Sequence, residues 1–244
     1  MNGFITISKR ELLAYFRSPV AYVFIIIFLI ANAGCTFLLG NFYDSQQASL
    51  EIFFLFHPWL YLFLVPAVGM RLWAEERRSG TAELLLTLPV RLSTTVFAKF
   101  SAGWIFIGIS LLLTFPMIWT VHFLGNPDSG PITTGYLGSF LMAGSYLAIT
   151  SLTSSMTKNQ VISFILSVVI CLVLVLSGWG VLSDTLNSVF PVWLSDLVGQ
   201  FSFTTHFDAI RRGVVDIRDL IYFISIIVIV LMLNVVVLDS HKAS

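Results

Sequence analysis

Ser18-Pro-Val-Ala-Tyr-Val-Phe-Ile-Ile-Ile-Phe-Leu-Ile-Ala-Asn-Ala-Gly-Cys-Thr-Phe-Leu-Leu-Gly-Asn-Phe-Tyr43 runs for 26 residues without an Asp, Glu, Lys or Arg. A helix rises about 1.5 Å per residue, so about 20 residues cross a hydrocarbon core of about 30 Å. A soluble helix of that length keeps a polar stripe at the 3.6-residue period. Val20–Ala31 has none, and neither does Ile221–Leu233 near the other end. Further uncharged runs cover Ile52–Met70, Phe100–Pro127, Ser129–Thr157, Asn159–Ser183 and Leu220–Leu238. The pattern predicts an all-α integral membrane protein of six transmembrane helices, over about 18–40, 52–73, 98–121, 132–156, 159–180 and 219–238.

Composition agrees. Hydrophobic residues make up 57% of the 244 positions and charged residues 11%, against about a quarter charged in soluble domains. Six spans use most of the chain and leave no room for a soluble catalytic domain, so 1–244 reads as one transmembrane domain. Thirteen basic and thirteen acidic residues balance, which gives no footprint for a nucleic-acid partner. Cys35 and Cys171 fall inside spans without metal-ligand spacing and read as small apolar residues. The first apolar run is too long for a signal-peptide core and lacks a small-residue cleavage pattern, so it reads as uncleaved.

Basic residues set the orientation. Lys9, Arg10 and Arg17 precede the first span. Arg71, Arg77, Arg78, Arg91 and Lys99 fall between the second and third, Lys158 follows the fourth and Lys242 the sixth. Only Arg211, Arg212 and Arg218 remain for the opposite side, which predicts both termini in the cytoplasm. Residues 3–17 are expected to lie along the interface, with Ile5, Leu12, Leu13 and Phe16 on one face and Lys9, Arg10 and Glu11 on the other. Gly135, Ser139 and Ala143 form a small-residue stripe suited to close helix packing. The segment 181–218 is too apolar for a plain loop and is expected to form an outer lid of short re-entrant or interfacial helices.

Ionisable groups inside spans are costly and usually functional. His57, followed by Pro58, is the notable one. Asn32, Thr36, Ser163, Ser167 and Ser177 are candidate pathway polar groups alongside it. A weakly polar pathway of this kind suits an amphipathic or lipid-linked substrate better than an ion.

After the second predicted span the chain reads Trp73-Ala-Glu-Glu-Arg-Arg-Ser-Gly80-Thr-Ala-Glu-Leu-Leu-Leu-Thr-Leu-Pro89. A charged burst, a glycine break and a short Leu-rich helix ended by proline suit either an interfacial helix or a helix seated in a partner's groove. The order Glu75 or Glu76, Gly80, Thr81, Glu83, Leu84, Leu85, Pro89 resembles the coupling-helix region of type-2 ABC exporter permeases. The opening Lys9-Arg10-Glu11-Leu12…Tyr15-Phe16-Arg17-Ser18-Pro19…Tyr22 is similar to the N-terminus of that family. So is Phe207-Asp208…Arg211-Arg212-Gly213-Val214-Val215-Asp216-Ile217-Arg218-Asp219 before the last span. The flavour is that of the gliding-motility and copper-site-maturation permeases.

The resemblance implies a half-transporter in a bacterial inner membrane. It would pair with a second permease copy or a sister permease, and would be driven by a cytoplasmic ATP-binding-cassette ATPase. The chain carries no Gly-x-x-x-x-Gly-Lys-Ser/Thr phosphate loop, so ATP and Mg2+ are expected on that partner and no cofactor on this chain. The expected coupling residues over 75–89 are Glu75, Glu76, Arg77, Arg78, Gly80, Thr81, Glu83, Leu84, Leu85, Leu86 and Pro89. The Leu face would enter the ATPase groove while the charges orient it.

Alternatives differ in testable ways. A membrane assembly or anchoring factor would bind the ATPase without transport. A secondary transporter would show charged spans or matched broken helices. A rhomboid-like protease built on Ser177-Gly178 would need a histidine base, and Leu220–Leu238 has none.

Overall fold

The computed structural model describes residues 2–44, 48–81, 91–179 and 198–240. Among these the chain is helical, with no strand. The helices are α1 (Asn2–Arg17), α2 (Pro19–Gly34), α3 (Glu51–Leu55), α4 (His57–Gly69), α5 (Arg71–Ser79) and α6 (Leu92–Leu112). There follow α7 (Pro116–Leu124), α8 (Ser129–Met156), α9 (Gln160–Leu176), α10 (Phe203–Arg211) and α11 (Ile217–Ser240). Four stretches are long and apolar enough to cross a membrane: Pro19–Leu39, Leu92–Leu124, Ser129–Met156 and Ile217–Ser240.

Local chemistry sets the boundaries. Ser18 caps α2 ahead of Pro19, whose missing N–H costs nothing in a first turn. Asp128 accepts from the Gly130 N–H at the start of α8, and Asn159 accepts from the Val161 N–H at the start of α9. The C-terminal end of α2 widens into a π-turn over Cys35–Leu39. The third predicted span starts earlier than expected, at Leu92 rather than 98. Lys99 is turned into the protein there and does not end the helix. Pro116 lacks the N–H needed to continue the ladder, so α6 pauses at Leu113–Phe115 before α7 resumes.

The second predicted span, 52–73, is divided among α3, α4 and α5. Pro58 and Pro66 each remove a backbone donor from α4. At Met70 the cause of the break lies in another helix. Ser154 Oγ of α8 donates to the Met70 carbonyl at 2.8 Å and accepts from the Trp73 and Ala74 N–H groups at 3.0 Å each. A hydroxyl inserted into the i→i−4 ladder interrupts a helix and satisfies the groups it frees.

Helix α8 is the hub. Its most apolar stretch is 72% buried, against 22% for the first and last of the four long stretches. It packs against α4, α5, α6, α9, α10 and α11. Small residues make this possible, because helices in lipid associate by close packing and interhelical hydrogen bonds. A Cβ at Gly135 would run into the Phe54 ring, and one at Gly144 would lie 2.8 Å from Trp104 Nε1 and 3.0 Å from Ile227 Cδ1. On the other side of the bundle α1 lies against α6. Tyr15 stacks on Phe106 at 5.1 Å between centroids, Leu12 and Phe16 pack on the core, and Ile5 and Leu13 stay exposed.

Gly135→Ala is expected to destabilise the protein by about 1–3 kcal/mol, the usual cost of overpacking a filled core. A thermal unfolding series in detergent should show this fall. Gly34→Ala, where an added Cβ meets nothing within 4 Å, should hold or raise the midpoint.

Candidate functional site

Helix α5 begins at the Ser154 insertion and ends at Gly80, whose φ of +73° is the left-handed stop that favours glycine. Several of its polar contacts run to α8. Besides the Ser154 bonds, Trp73 Nε1 donates to Ser151 Oγ at 3.2 Å, and Arg77 donates to the Ser155 carbonyl. Asn234 of α11 donates to the same Ser151 oxygen at 2.7 Å. One serine ladder thus holds both α5 and α11.

The opposite side of α5 meets a buried cation. Lys99 of α6 is 1% exposed. Its Nζ lies 2.7 Å from Glu76 Oε1 and 3.5 Å from Glu11 Oε2, and it donates to the Leu72 carbonyl at 3.2 Å. The ammonium also stands 5.2 Å from the centre of the Trp73 ring. An ammonium has three donors and no acceptor, and a charge this deeply buried persists only when paired and hydrogen-bonded. Three helices, α1, α5 and α6, therefore meet at one nitrogen. Burial, and after it the Glu11 charge, push the neighbouring Tyr15 phenol up; partial burial pulls the Arg77 guanidinium down.

The residues expected to couple to an ATPase are consequently placed in different ways. Glu76 and Arg77 turn inward, to Lys99 and to the end of α8. Glu75 pairs with Arg71 at 2.9 Å on an exposed face, and Arg78, Gly80 and Thr81 are exposed. Glu83, Leu84, Leu85, Leu86 and Pro89 lie outside the described residues.

The expected pathway residues are not gathered into one site. His57 is fully buried, its Nδ1 2.7 Å from Ser139 Oγ, and the Tyr61 hydroxyl reaches the same oxygen at 2.6 Å. Among the described residues its Nε2 has no partner, nor has either side-chain amide atom of buried Asn32. Thr36 donates to the Asn32 carbonyl within its own helix. Ser163 and Ser167 instead meet α8 at Thr153, with Ser167 Oγ 2.5 Å from Thr153 Oγ1. That lies fourteen residues beyond Ser139, about 21 Å along the helix. Ser177 bonds to the Leu174 carbonyl of its own helix.

The predicted lid, 181–218, is described from residue 198 onward. There α10 is fixed at both flanks: Arg211 reaches Glu51 of α3 at 3.0 Å, and His206 Nδ1 lies 2.6 Å from Asp219 of α11. Sequence reasoning missed Lys99 as a site residue, together with Glu11, Ser151 and Ser154. For Lys99 a signal was present, since it falls one residue inside the predicted span 98–121. The serines carry no signal of their own.

A family model described as ABC-2 family transporter protein matches residues 8–178, more than two thirds of the chain. The chain belongs to the ABC-2 transporter family. The match runs from the second half of α1 through α9 and includes Glu11, Glu76 and Lys99 and the Ser151–Ser155 stretch of α8. The third block of resemblance, Phe207–Asp219, lies beyond it. A search of curated proteins finds no match. As an ABC-2 transporter the chain is a multi-pass membrane protein, and the family implies an ATP-binding-cassette ATPase partner in general.

Lys99→Met is expected to destabilise the protein by about 3 kcal/mol, the low end for removing one partner of a buried pair, because Glu11 and Glu76 each keep an edge in solvent. Glu76→Gln leaves an acceptor for Lys99 and is expected to cost roughly half as much. Unfolding midpoints of the solubilised variants give the order directly.

Proposed function

We propose that this chain is the membrane-spanning permease subunit of an ATP-binding-cassette exporter. It crosses a bacterial inner membrane six times with both termini in the cytoplasm. α2, the α3–α4 series, α6–α7, α8, α9 and α11 are the spans, α5 leads out of the second of them, and α1 lies on the inner interface. Two permeases, identical or sister chains, form the pathway between them. A separate cytoplasmic ATPase binds ATP and Mg2+ and docks on residues 75–89.

The observation that carries this reading is the double attachment of α5. In a chain of the ABC-2 family, the helix that leads into the expected docking segment is fixed to α8 by Ser151, Ser154 and the Ser155 carbonyl. It is fixed to α1 and α6 through Lys99. A push on 81–89 therefore arrives at three spans and the interfacial helix together. Such coupling needs only that the ATPase contact differ between two states of the bundle. The proposed cargo is amphipathic or lipid-linked, the class that a weakly polar pathway suits better than an ion. The blocks quoted above favour the gliding-motility and copper-site-maturation subgroup.

Co-purification with the partner ATP-binding-cassette ATPase tests the docking. Glu83→Ala and Leu85→Asp are expected to lose most ATPase and its stimulation while the permease stays folded. Retention of both would place the contact elsewhere. A cysteine at Thr81 should be modified by a membrane-impermeant thiol reagent only from the cytoplasmic side. ATP turnover in liposomes without movement of candidate lipids would favour an anchoring factor over an exporter.

A further inference from the structure

Two neighbouring cavities share three residues. One is a polar cleft of about 280 Å³ at the junction of α1, α5 and α6, bordered by Glu11, Tyr15, Ser18, Arg71, Glu76 and Lys99. The other is an apolar slot of about 170 Å³ bordered by Val20, Val23, Ile27, Leu64, Ala67 and Phe106. Tyr15, Ser18 and Arg71 line both. The slot begins at the first turn of α2 and runs two turns down it, so polar mouth and apolar groove are stacked along the direction in which a lipid lies.

The charges of the mouth narrow the headgroup. Lys99 is already committed to Glu76 Oε1, Glu11 and the Leu72 carbonyl. That leaves Arg71, paired with Glu75 and partly exposed, as the cation within reach of a phosphate, with the Tyr15 and Ser18 hydroxyls beside it. Glu76 Oε2 is buried without a partner among the described residues. It calls for a donor, and a cationic one is the strongest. Three carboxylates face two cations in the cleft, which disfavours a purely anionic headgroup. A quaternary ammonium carries no N–H to give.

We propose that this crevice holds one resident phospholipid with a primary-ammonium headgroup, of phosphatidylethanolamine type. Its phosphate lies on Arg71, its ammonium on Glu76 and Glu75, and one acyl chain occupies the slot between α2 and α4. The lipid seals the seam between the interfacial helix and the first two spans. The proposal rests on the membrane placement of α1 and α2 given above and is independent of the ATPase.

Native mass spectrometry of the full-length chain in detergent, mixed with equal amounts of dioleoyl phosphatidylethanolamine, phosphatidylcholine and phosphatidylglycerol, tests it. One phosphatidylethanolamine should be retained about tenfold over either competitor, the worth of about one ionic hydrogen bond. Arg71→Gln should weaken retention of all three lipids, whose phosphate is common, whereas Glu76→Gln should erase the preference for phosphatidylethanolamine. Val23→Trp, which fills the slot from a lipid-facing position, should abolish retention of all three lipids and leave ATPase co-purification unchanged. Equal retention of the three lipids, unaffected by Val23→Trp, would mark an unselective annular layer and overturn the proposal. So would a dimer that Val23→Trp dissociates, since a second copy would then occupy the seam. Loss of ATPase binding in the unmodified protein would count against the proposed function alone.

Discussion

Helices in a hydrocarbon solvent gain little from hiding apolar surface from one another, so what they gain must come from how closely their backbones approach and which polar groups they share. Helix α8 answers both demands at once. Its glycines let Phe54, Trp104, Ile210 and Ile227 sit directly on the backbone, and its serines and threonines supply the hydrogen bonds. Ser139 serves α4, Ser151 and Ser154 serve α5, Ser145 takes the Phe223 carbonyl of α11, and Thr153 serves α9. Each of these bonds is worth about 1 kcal/mol or less in a membrane. Strung along one rod, they nevertheless fix the heights of α4, α5, α9 and α11.

The break at Met70 acquires its sense from that rod. A helix passing from lipid toward water would ordinarily continue unbroken through Arg71. Ser154 takes over two N–H groups and one carbonyl there, so the ladder is interrupted at Met70 without stranding the groups it frees. Helix α5, started afresh at Arg71, holds Glu76 against Lys99 and Arg77 against the end of α8. Charge is thereby paired among three helices at this end of the bundle. Interrupting a span and burying a lysine are two parts of one arrangement.

Much of this was readable from residue order. The all-round apolar character of Val20–Ala31 and Ile221–Leu233 required helices in lipid, and both fall inside long helices. Gly135, Ser139 and Ala143, spaced by four, pointed to a packing face, and that face is on the hub. Gly80 marked the end of a charged helix because a left-handed residue was needed there. Other features were hidden for physical reasons. Lys99 looked like a boundary charge, since hydropathy does not distinguish a lysine at the edge of a span from one inside it with two carboxylates waiting. Those carboxylates, Glu11 and Glu76, come from segments 88 and 23 residues away, a pairing that no local pattern encodes. A serine facing a cavity and one facing a neighbouring helix have the same spacing, so the bonds of Ser163 and Ser167 to Thr153 were not legible in the residue order.

Helix length has an effect beyond the protein itself. The α6–α7 stretch covers 33 residues, about 50 Å at helical rise, whereas α9 has 17, about 25 Å. A bilayer core of about 30 Å fits neither. In the proposed topology the long rod stands clear of the membrane or leans in it, and the short one, with Val161, Ile165, Val169 and Val173 turned outward, draws the two leaflets toward each other. The surrounding bilayer is then thinner on the α9 flank than on the α6 flank. Such a slope in thickness recruits short-chain lipids to one side and imposes a preferred azimuth on any neighbour that shares the same mismatch.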